Sequence, residues 1–320
     1  MTERPSVRDL PGLTATRSPH ERRLALRRRL AGGAFILPGV TDAMGAKLVE
    51  KAGFGAAYAT GAGLANAQYG LPDLGLITLP EVAEHTSRLC AAVDVPVVVD
   101  ADTGFGSPLM AVRAARLLER SGAAALQIED QEMPKKCGHF DSHALIPAEH
   151  MASKIAAVRQ GLDDEATVLI ARTDARSVHD IDEAIRRAHL YAAAGADVLF
   201  VEAPRSVEEM ERVGRELAGM PLVVNVVEGG KTPELSVQEY DDLGFRVVLF
   251  ANFLMRSLMH AGQQALAHLA ENGETGSYAD RMVSWQERQD LVNLDAFRTA
   301  EAAFDRPWEP GTRGAGRQRA

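Results

Sequence analysis

The chain has 320 residues, and 46% of them are hydrophobic, which is enough for a large buried core. Its 44 acidic side chains outnumber its 35 basic ones, giving a formal net charge of −9. This balance argues against a general nucleic-acid-binding protein, which needs a basic face. Two cysteines do not make a disulfide framework, and no run approaches the ~20 apolar residues of a membrane span. We therefore predict a cytoplasmic protein without nucleic-acid or membrane partners.

Short apolar runs rich in Val, Ile and Leu alternate with amphipathic stretches along most of the chain. The apolar runs cover 34–40, 56–61, 96–102, 125–130, 167–175, 198–203, 222–227 and 246–251. Helices are predicted at 41–52, 79–92, 107–121, 147–161, 180–194, 206–218 and 252–271. Buried strands that alternate with helices form parallel sheets, so eight repeats predict an α/β fold, a closed (β/α)8 barrel of the TIM type. An open doubly wound sheet is the alternative.

The composition divides the chain into four predicted segments. These are an N-terminal tail (1–18), the barrel (19–275), a C-terminal helical extension (276–305) and a flexible tail (306–320). The last segment is rich in Pro, Gly and Arg and has no apolar period. The stretch 22–40 imitates a secretion signal, but two glycines and a proline interrupt its apolar part, so we predict that it is not one.

Polar residues gather at or just after the C-terminal ends of the predicted strands. They are Thr60, Asp100, Asp102, Glu129, Asp130, Arg172, Asp174, Glu202, Asn225 and Glu228. In a parallel barrel these strand ends meet at one rim, where active sites are built. Charged residues can also end a strand at solvent for no functional reason, but that explanation is weak for six strands together. The sequence thus predicts one polar site at the rim.

The acidic residues of this rim predict a metal site. Asp100 and Asp102 lie two apart on a predicted strand and would face the same side. Two close carboxylates repel each other unless a cation lies between them. Glu129, Asp130 and Asp73 are expected to join the cluster. An oxygen-only ligand set suits Mg²⁺, with Mn²⁺ as the second choice, whereas zinc favours His or Cys.

The stretch IEDQEMPKKCGH, residues 128–139, raises the question of what Cys137 does. Two lysines precede this cysteine, and their charges favour the thiolate. A proline and a glycine in the stretch, which follows a strand end, predict a loop over the barrel mouth. A redox or nucleophilic role remains open, and proton transfer inside a closed loop fits best. Cys90 lies in a helical pattern and is predicted to be a small buried side chain.

Several motifs, taken in order, resemble the isocitrate lyase/phosphoenolpyruvate mutase superfamily over about residues 20–300. They are GLPDLG, VDADTGFG, IEDQ followed by PKKCGH, ARTDA, and NVVEGGKTP. The branches with the greatest similarity are the 2-methylisocitrate lyases, the 2,3-dimethylmalate lyases and the carboxyvinyl-carboxyphosphonate phosphorylmutases. The resemblance implies a (β/α)8 barrel whose last helix is exchanged between subunits, usually in a homotetramer.

The resemblance also implies roles for individual residues. Asp100 and Asp102 would hold Mg²⁺, with Asp73 and Glu129 reaching it through water. The implied catalytic residues are Cys137 as proton donor, Tyr58, Arg172, Lys135 and His139. The implied substrate-binding residues are Thr60, Gly61, Gly138, Arg172, Glu202 and Asn225.

The predicted activity is Mg²⁺-dependent cleavage of a carbon–carbon bond in a 2-hydroxy di- or tricarboxylate like 2-methylisocitrate or dimethylmalate. The products would be a 2-oxo acid and a carboxylate, and either Tyr58 or a metal-bound water would remove the hydroxyl proton. Alternative functions are the phosphorylmutase reaction, oxaloacetate hydrolysis or decarboxylation, and a non-catalytic barrel that binds a dicarboxylate. FANF at 250–253 replaces a Tyr-Pro-Leu-Ser stretch common to the lyase and phosphorylmutase branches, which leaves the substrate's substituent open.

Overall fold

The computed structural model describes residues 15–133, 135 and 144–305. The eight predicted strands are present and form a closed barrel in chain order, each parallel to its neighbours. They are β1 (Phe35–Val40), β2 (Ala57–Ala59), β3 (Val97–Asp100), β4 (Ala125–Glu129), β5 (Val168–Thr173), β6 (Val198–Val201), β7 (Leu222–Asn225) and β8 (Phe245–Phe250). Pairing of β1 with β8, with Phe35 opposite Val247, closes the barrel. The predicted (β/α)8 architecture is confirmed.

Helices surround the barrel and continue beyond it. They are α1 (Pro19–Leu30), α2 (Ala43–Lys51), α3 (Gly61–Tyr69), α4 (Leu79–Ala92), α5 (Pro108–Arg120), α6 (Ala148–Gly161), α7 (Ala175–Val178), α8 (Ile181–Ala193), α9 (Val207–Glu216), α10 (Val237–Asp242), α11 (Phe253–Asn272), α12 (Trp285–Leu291) and α13 (Leu294–Phe304). A 3₁₀ helix covers Gly276–Arg281. Each of the seven predicted helices is present, whereas α1, α3, α7 and α10 were not predicted.

The core has two layers because side chains alternate along each strand. On β3, Val97 and Val99 pack outward against the helices, while Val98 packs into the barrel interior. Other interior side chains include Leu37, Tyr58, Ile170, Phe200, Val223 and Leu249. Both faces of every strand are therefore covered, which explains why the strands read as continuous apolar runs.

Helix α1 covers the N-terminal end of the barrel. Its Leu26 packs into the interior cluster. Arg22 donates hydrogen bonds to the carbonyls of Cys90 and Val93, and Arg23 donates one to the carbonyl of Ala123 at 3.1 Å. The carbonyls of Cys90 and Val93 lie at the C-terminal end of α4, and that of Ala123 lies just before β4, so the arginines satisfy acceptors at a helix end and in a turn. The stretch that imitates a secretion signal is thus α1 followed by β1.

The start of the described chain is also attached to the barrel. Residues assigned by sequence to the N-terminal tail make specific contacts: Ala15 donates its amide to the carbonyl of Ala91, and Thr16 donates to Asp94. No helix in the described ranges is long and apolar enough to cross a membrane.

Candidate active site

A cavity of about 130 Å³ opens at the carboxyl ends of the strands. It is lined by Tyr58, Thr60, Ala62, Asp73, Asp100, Glu129, Lys135, Arg172, Glu202, Asn225, Val227, Leu249, Ala251 and Asn252. Most of the strand-end residues singled out from the sequence therefore lie around one space. Glu228 does not, because its carboxylate pairs with Arg256 at 2.8 Å on the exposed side of the rim.

The prediction that Asp100 and Asp102 lie on one strand is wrong. Strand β3 ends at Asp100, and Asp102 lies in the following turn with a φ of +48°, the left-handed region. The turn nevertheless keeps the two residues together, because the Asp102 amide donates to Asp100 Oδ1 at 3.1 Å. Proximity here comes from a local turn and not from the alternation of a strand.

Lys135 occupies the centre of the acidic cluster. Its ammonium lies 2.7 Å from Asp73 Oδ1 and 2.6 Å from Asp102 Oδ1, and its side chain is only 5% exposed. Burial by itself lowers the pKa of Lys135, but the charges of Asp102 and Asp100 outweigh burial and raise it well above its usual value. Burial raises the pKa of Asp102 to about 6 against the opposing charge of Lys135. A buried cation therefore already lies between two of the predicted metal-binding carboxylates.

Glu129 contributes an unsatisfied acceptor to the cluster. Its Oε1 is buried and has no hydrogen-bond partner among the described residues, whereas Oε2 lies 3.5 Å from Arg172 Nε. Burial raises the pKa of Glu129 well above its usual value, and the Arg172 charge opposes this shift. An orphaned buried carboxylate oxygen is a feature that a bound cation would satisfy.

The donor chemistry of this cluster fits Mg²⁺. All four predicted metal-binding residues supply carboxylate oxygens, which are the ligands that hard divalent cations prefer. The Lys135 ammonium marks a position where a positive charge is stable. No three His, Cys, Asp or Glu side chains within the described ranges already converge on a single point suited to a metal. The Lys135 ammonium lies between Asp73 and Asp102, so a metal held by both of these carboxylates would have to take its place.

Arg172 lines the cavity beside Glu129 and is held firmly. Its Nε and NH2 form a two-pronged contact with Asp174 at 3.0 and 2.8 Å, and its NH1 lies 3.1 Å from Glu202 Oε2. Its guanidinium also stacks 5.2 Å from the centre of the Phe200 ring. Each terminal nitrogen carries two hydrogens, so each retains one to offer a bound carboxylate.

Thr60 and Gly61 begin helix α3 at the edge of the cavity. The Thr60 hydroxyl caps the helix by accepting from the Gly63 amide at 3.3 Å, and the Gly61 amide points at Asp100 Oδ2 at 3.4 Å. A Cβ on Gly61 would meet that same oxygen at 3.0 Å. The residue at this position must therefore be small for the backbone to approach Asp100.

Tyr58 and Asn225 complete the polar wall. Burial, followed by the charge of Asp100, raises the pKa of Tyr58 well above its usual value. Asn225 donates its amide to Glu202 at 3.4 Å, while its Oδ1 is buried and accepts from no described residue. Both groups are polar and buried, and Asn225 is not fully satisfied, as expected of a position that meets a ligand.

Asp130 is the strand-end residue that sequence reasoning misplaced. Its side chain is absent from the cavity wall and is buried behind it, where it accepts from Thr173, Arg187 and Tyr191. Neighbours on a strand point to opposite sides, so Glu129 faces the cavity and Asp130 faces the helices. Asp174 likewise lies behind Arg172 and orients it.

Several predicted site residues lie outside the described part of the chain, namely Cys137, Gly138 and His139. Their roles stay predictions. Cys90 is buried in α4, and burial raises the pKa of its thiol to about 11, which agrees with its predicted structural role.

Sequence reasoning missed an apolar part of the cavity. Ala62, Val227, Leu249 and Ala251 line it beside Asn252, whose Oδ1 is buried and has no partner among the described residues. The FANF stretch at 250–253, which replaces Tyr-Pro-Leu-Ser, was the sequence signal for this wall, because it covers the end of β8 that forms it.

A closed (β/α)8 barrel with acidic, basic and amide groups around one cavity at the carboxyl rim defines a barrel enzyme for a small anionic ligand. The family model for phosphoenolpyruvate phosphomutase matches residues 26–270. The chain belongs to this family, within the superfamily that also contains the isocitrate lyases, and the resemblance drawn from its motifs is confirmed.

Curated relatives extend over most of the chain. The petal death protein of Dianthus caryophyllus is 42% identical over 273 residues, covering 85% of this chain and 86% of the relative. A 2-methylisocitrate lyase of Aeropyrum pernix is 41% identical over 274 residues, covering 86% of this chain and 88% of the relative.

Solved structures agree with this assignment. A 2,3-dimethylmalate lyase superposes with a TM-score of 0.82 at 34% identity, covering 90% of this chain and 98% of that one. A phosphonopyruvate hydrolase in complex with oxalate and Mg²⁺ superposes with a TM-score of 0.80 at 28% identity, covering 88% and 98%. The chain is therefore an enzyme of this lyase and mutase superfamily.

Proposed function

We propose that the chain is a Mg²⁺-dependent lyase that cleaves a carbon–carbon bond of a 2-hydroxy di- or tricarboxylate. The products are a 2-oxo acid and a second carboxylate. One observation carries the proposal: a cavity at the barrel rim is lined by a cluster of carboxylates around a buried cation and by Arg172, which is held in a fixed orientation beside Glu129 of that cluster. The similarity to a 2-methylisocitrate lyase and a 2,3-dimethylmalate lyase supports this reaction class.

The carboxylates Asp73, Asp100, Asp102 and Glu129 would hold the metal. Bound there, Mg²⁺ would polarise the substrate hydroxyl and its neighbouring carboxylate, which makes the hydroxyl proton easier to remove. Tyr58 faces the same cavity beside Asp100, so its hydroxyl can exchange a hydrogen bond or a proton with the substrate hydroxyl.

Arg172 would bind one carboxylate of the substrate. Its fork to Asp174 and its contact to Glu202 fix the guanidinium plane before substrate arrives. A preoriented cation stabilises the charge that develops as the carbon–carbon bond breaks. The Gly61 amide at the start of α3 would support a carboxylate on the near side.

Cys137 would protonate the carbanion left by bond cleavage. This role is a prediction from the sequence, tested by Cys137→Ser, which keeps size and hydrogen bonding but raises the pKa of the donor. We expect kcat to fall by about a hundredfold or more, with oxalate affinity nearly unchanged. Cys90→Ser is the matched control, because Cys90 is buried in α4. Full activity of the Cys137 variant would show that the proton comes from elsewhere.

We also propose a homo-oligomer, a tetramer by the family resemblance. No residue of α11 is buried within the single chain, although the helix carries apolar residues. Leu258, Met259 and Leu266 are among its exposed side chains. A helix of this kind is covered when it packs against another subunit. The division into a barrel over 19–275 and a helical extension over 276–305 remains part of this proposal.

The substrate is tested with a panel of 2-substituted malates and isocitrates, with detection of the released 2-oxo acid. Turnover should require Mg²⁺ or Mn²⁺ and stop in excess chelator, and Asp102→Ala should behave like the metal-free enzyme. Asp163→Asn, an exposed carboxylate paired with Arg120, is the control and should be fully active.

Three further measurements separate the alternative functions. Formation of a carbon–phosphorus bond, followed by ³¹P spectroscopy, would identify a phosphorylmutase in place of a lyase. Release of oxalate from oxaloacetate would identify the hydrolase reaction. Binding of dicarboxylates without any turnover would contradict an enzymatic function.

A further inference from the structure

A buried polar cluster lies behind the cavity wall, between β5 and α8. We call Asp130, Arg187 and Tyr191 the buried hub. Asp130 directly follows β4 and is fully buried. Arg187 and Tyr191 lie four residues apart on α8, on the face that packs against β5. None of the three lines the cavity.

The hub satisfies both oxygens of the Asp130 carboxylate. Oδ2 accepts from the Tyr191 hydroxyl at 2.7 Å, from Thr173 Oγ1 at 2.7 Å and from Arg187 NH1 at 3.0 Å. Oδ1 accepts from the backbone amide of Asp174 at 3.0 Å. A buried carboxylate with four donors is held in one orientation, because any rotation would leave donors unpaired.

The contact to the Asp174 amide connects the hub to Arg172. The hub holds the backbone of Asp174, and the Asp174 carboxylate holds Arg172 through two hydrogen bonds at 3.0 and 2.8 Å. Asp174 has no exposed side-chain surface, so solvent does not replace these contacts. A shift of its backbone would therefore move the guanidinium that faces the cavity.

The hub also holds the segment around Ile146, which leads into α6. Arg187 NH1 donates to the carbonyl of Ile146 at 3.0 Å, and the Ile146 amide donates to the carbonyl of Asp130 at 2.9 Å. The bridge between Gln131 and Leu145 lies beside these contacts. One set of buried groups thus fixes both the β5 end that carries Arg172 and the segment that leads into α6.

We propose that the buried hub is a positioning device for Arg172, acting through the amide and the carboxylate of Asp174. The hub does not touch the ligand, and its effect is the orientation of the guanidinium toward a bound carboxylate. The inference rests on the proposed function, in which Arg172 binds that carboxylate.

Tyr191→Phe tests the inference with minimal change, because it removes one hydroxyl and keeps the buried ring. Thr173→Val is a second variant that removes another Asp130 donor at nearly constant volume, together with the acceptor of the Ala175 amide, so Tyr191→Phe is the decisive variant. Tyr240→Phe is the matched control: Tyr240 is also buried, and its hydroxyl donates to the carbonyl of Pro233 at 3.0 Å, remote from the hub. Each hydroxyl donates one hydrogen bond and accepts another, from Arg187 in Tyr191 and from the Leu235 amide in Tyr240, so its removal should affect stability similarly in the two tyrosine variants.

The first measurement is backbone hydrogen exchange of the peptide that contains Asp174. It should become faster in Tyr191→Phe and in Thr173→Val, and stay unchanged in Tyr240→Phe. The second measurement is the affinity for oxalate in the presence of Mg²⁺, by calorimetry. We expect a loss of about fivefold in Tyr191→Phe, equivalent to one hydrogen bond of about 1 kcal/mol, and none in Tyr240→Phe.

A double-mutant cycle separates positioning from general destabilisation. In an Asp174→Ala background the connection to Arg172 is already broken, so Tyr191→Phe should add less than about twofold to the loss of oxalate affinity. Equal losses in both backgrounds would overturn the inference, and so would native exchange and native affinity in Tyr191→Phe. If the native enzyme binds no oxalate with Mg²⁺, the proposed function is contradicted. Hydrogen exchange and a crystal structure of Tyr191→Phe then decide whether the hub holds Asp174 and Arg172.

Discussion

Replacing Lys135 with methionine should make the enzyme bind Mg²⁺ more tightly while it becomes less stable without metal. The Lys135 ammonium lies within 2.7 Å of both Asp73 and Asp102, where the proposed metal would be held. A metal that bridges these two carboxylates would have to displace this ammonium in the native enzyme, whereas the variant has nothing to displace. Methionine keeps the length and apolar stem of the side chain but carries no charge.

The magnitude follows from the burial of the ion pairs. Removing one partner of a buried pair destabilises a protein by about 3–5 kcal/mol. The side chain of Asp73 is 16% exposed, and water screens part of its contribution. We therefore expect the metal-free variant to lose about 2–3 kcal/mol. Mg²⁺ should restore most of that loss, which corresponds to about 10- to 100-fold tighter binding.

Calorimetric titration with Mg²⁺ and melting temperatures with and without Mg²⁺ measure both effects. Lys154→Met is the matched control, because Lys154 is equally buried but donates to the backbone carbonyl of Thr103 at 2.7 Å. It should melt earlier without gaining Mg²⁺ affinity. Unchanged or weaker Mg²⁺ binding in Lys135→Met would refute the reasoning, since the ammonium would then not compete with the metal.

Two further predictions concern regions away from the proposed metal site. Burial lowers the pKa of His85 to about 4, so the unfolded chain takes up the proton first and stability should fall as the pH drops from 6.5 to 4. His85→Gln should remove up to about 3 kcal/mol of this loss. The prediction would be contradicted if the melting temperatures of the native chain and the variant differed by the same amount at pH 7.5 and at pH 5. Light scattering at micromolar concentration should give an oligomer for the native chain and a smaller species for Leu266→Glu in α11; a native monomer would argue against the exposed helix as an interface.

The barrel could be predicted from the sequence because each strand is a short apolar run followed by an amphipathic helix. Helix α1 was not predicted from the sequence because its arginines point toward the protein. Arg22 and Arg23 are buried and bonded to backbone carbonyls. A helix with a charged inner face has no apolar period to detect.

The content of the site was predicted better than its geometry. Residue type and strand-end position brought Asp100, Glu129 and Arg172 to the correct rim. Strand alternation separates Asp130 from Glu129, but sequence reasoning placed both in the acidic cluster. The position of Lys135 between carboxylates depends on a loop whose path no periodicity describes.

The covering of the barrel base by α1 has a consequence for the order of events during synthesis. Residues 19–30 leave the ribosome before Ala166 and Asp197, although Arg27 bonds to Asp197 and to the carbonyl of Ala166. Helix α1 can therefore complete its contacts only after Asp197 has emerged, and β1 pairs with β8 later still. Throughout this interval the nascent chain carries a basic helix without its acceptors and an apolar strand with one open edge, a state in which chaperones protect growing proteins.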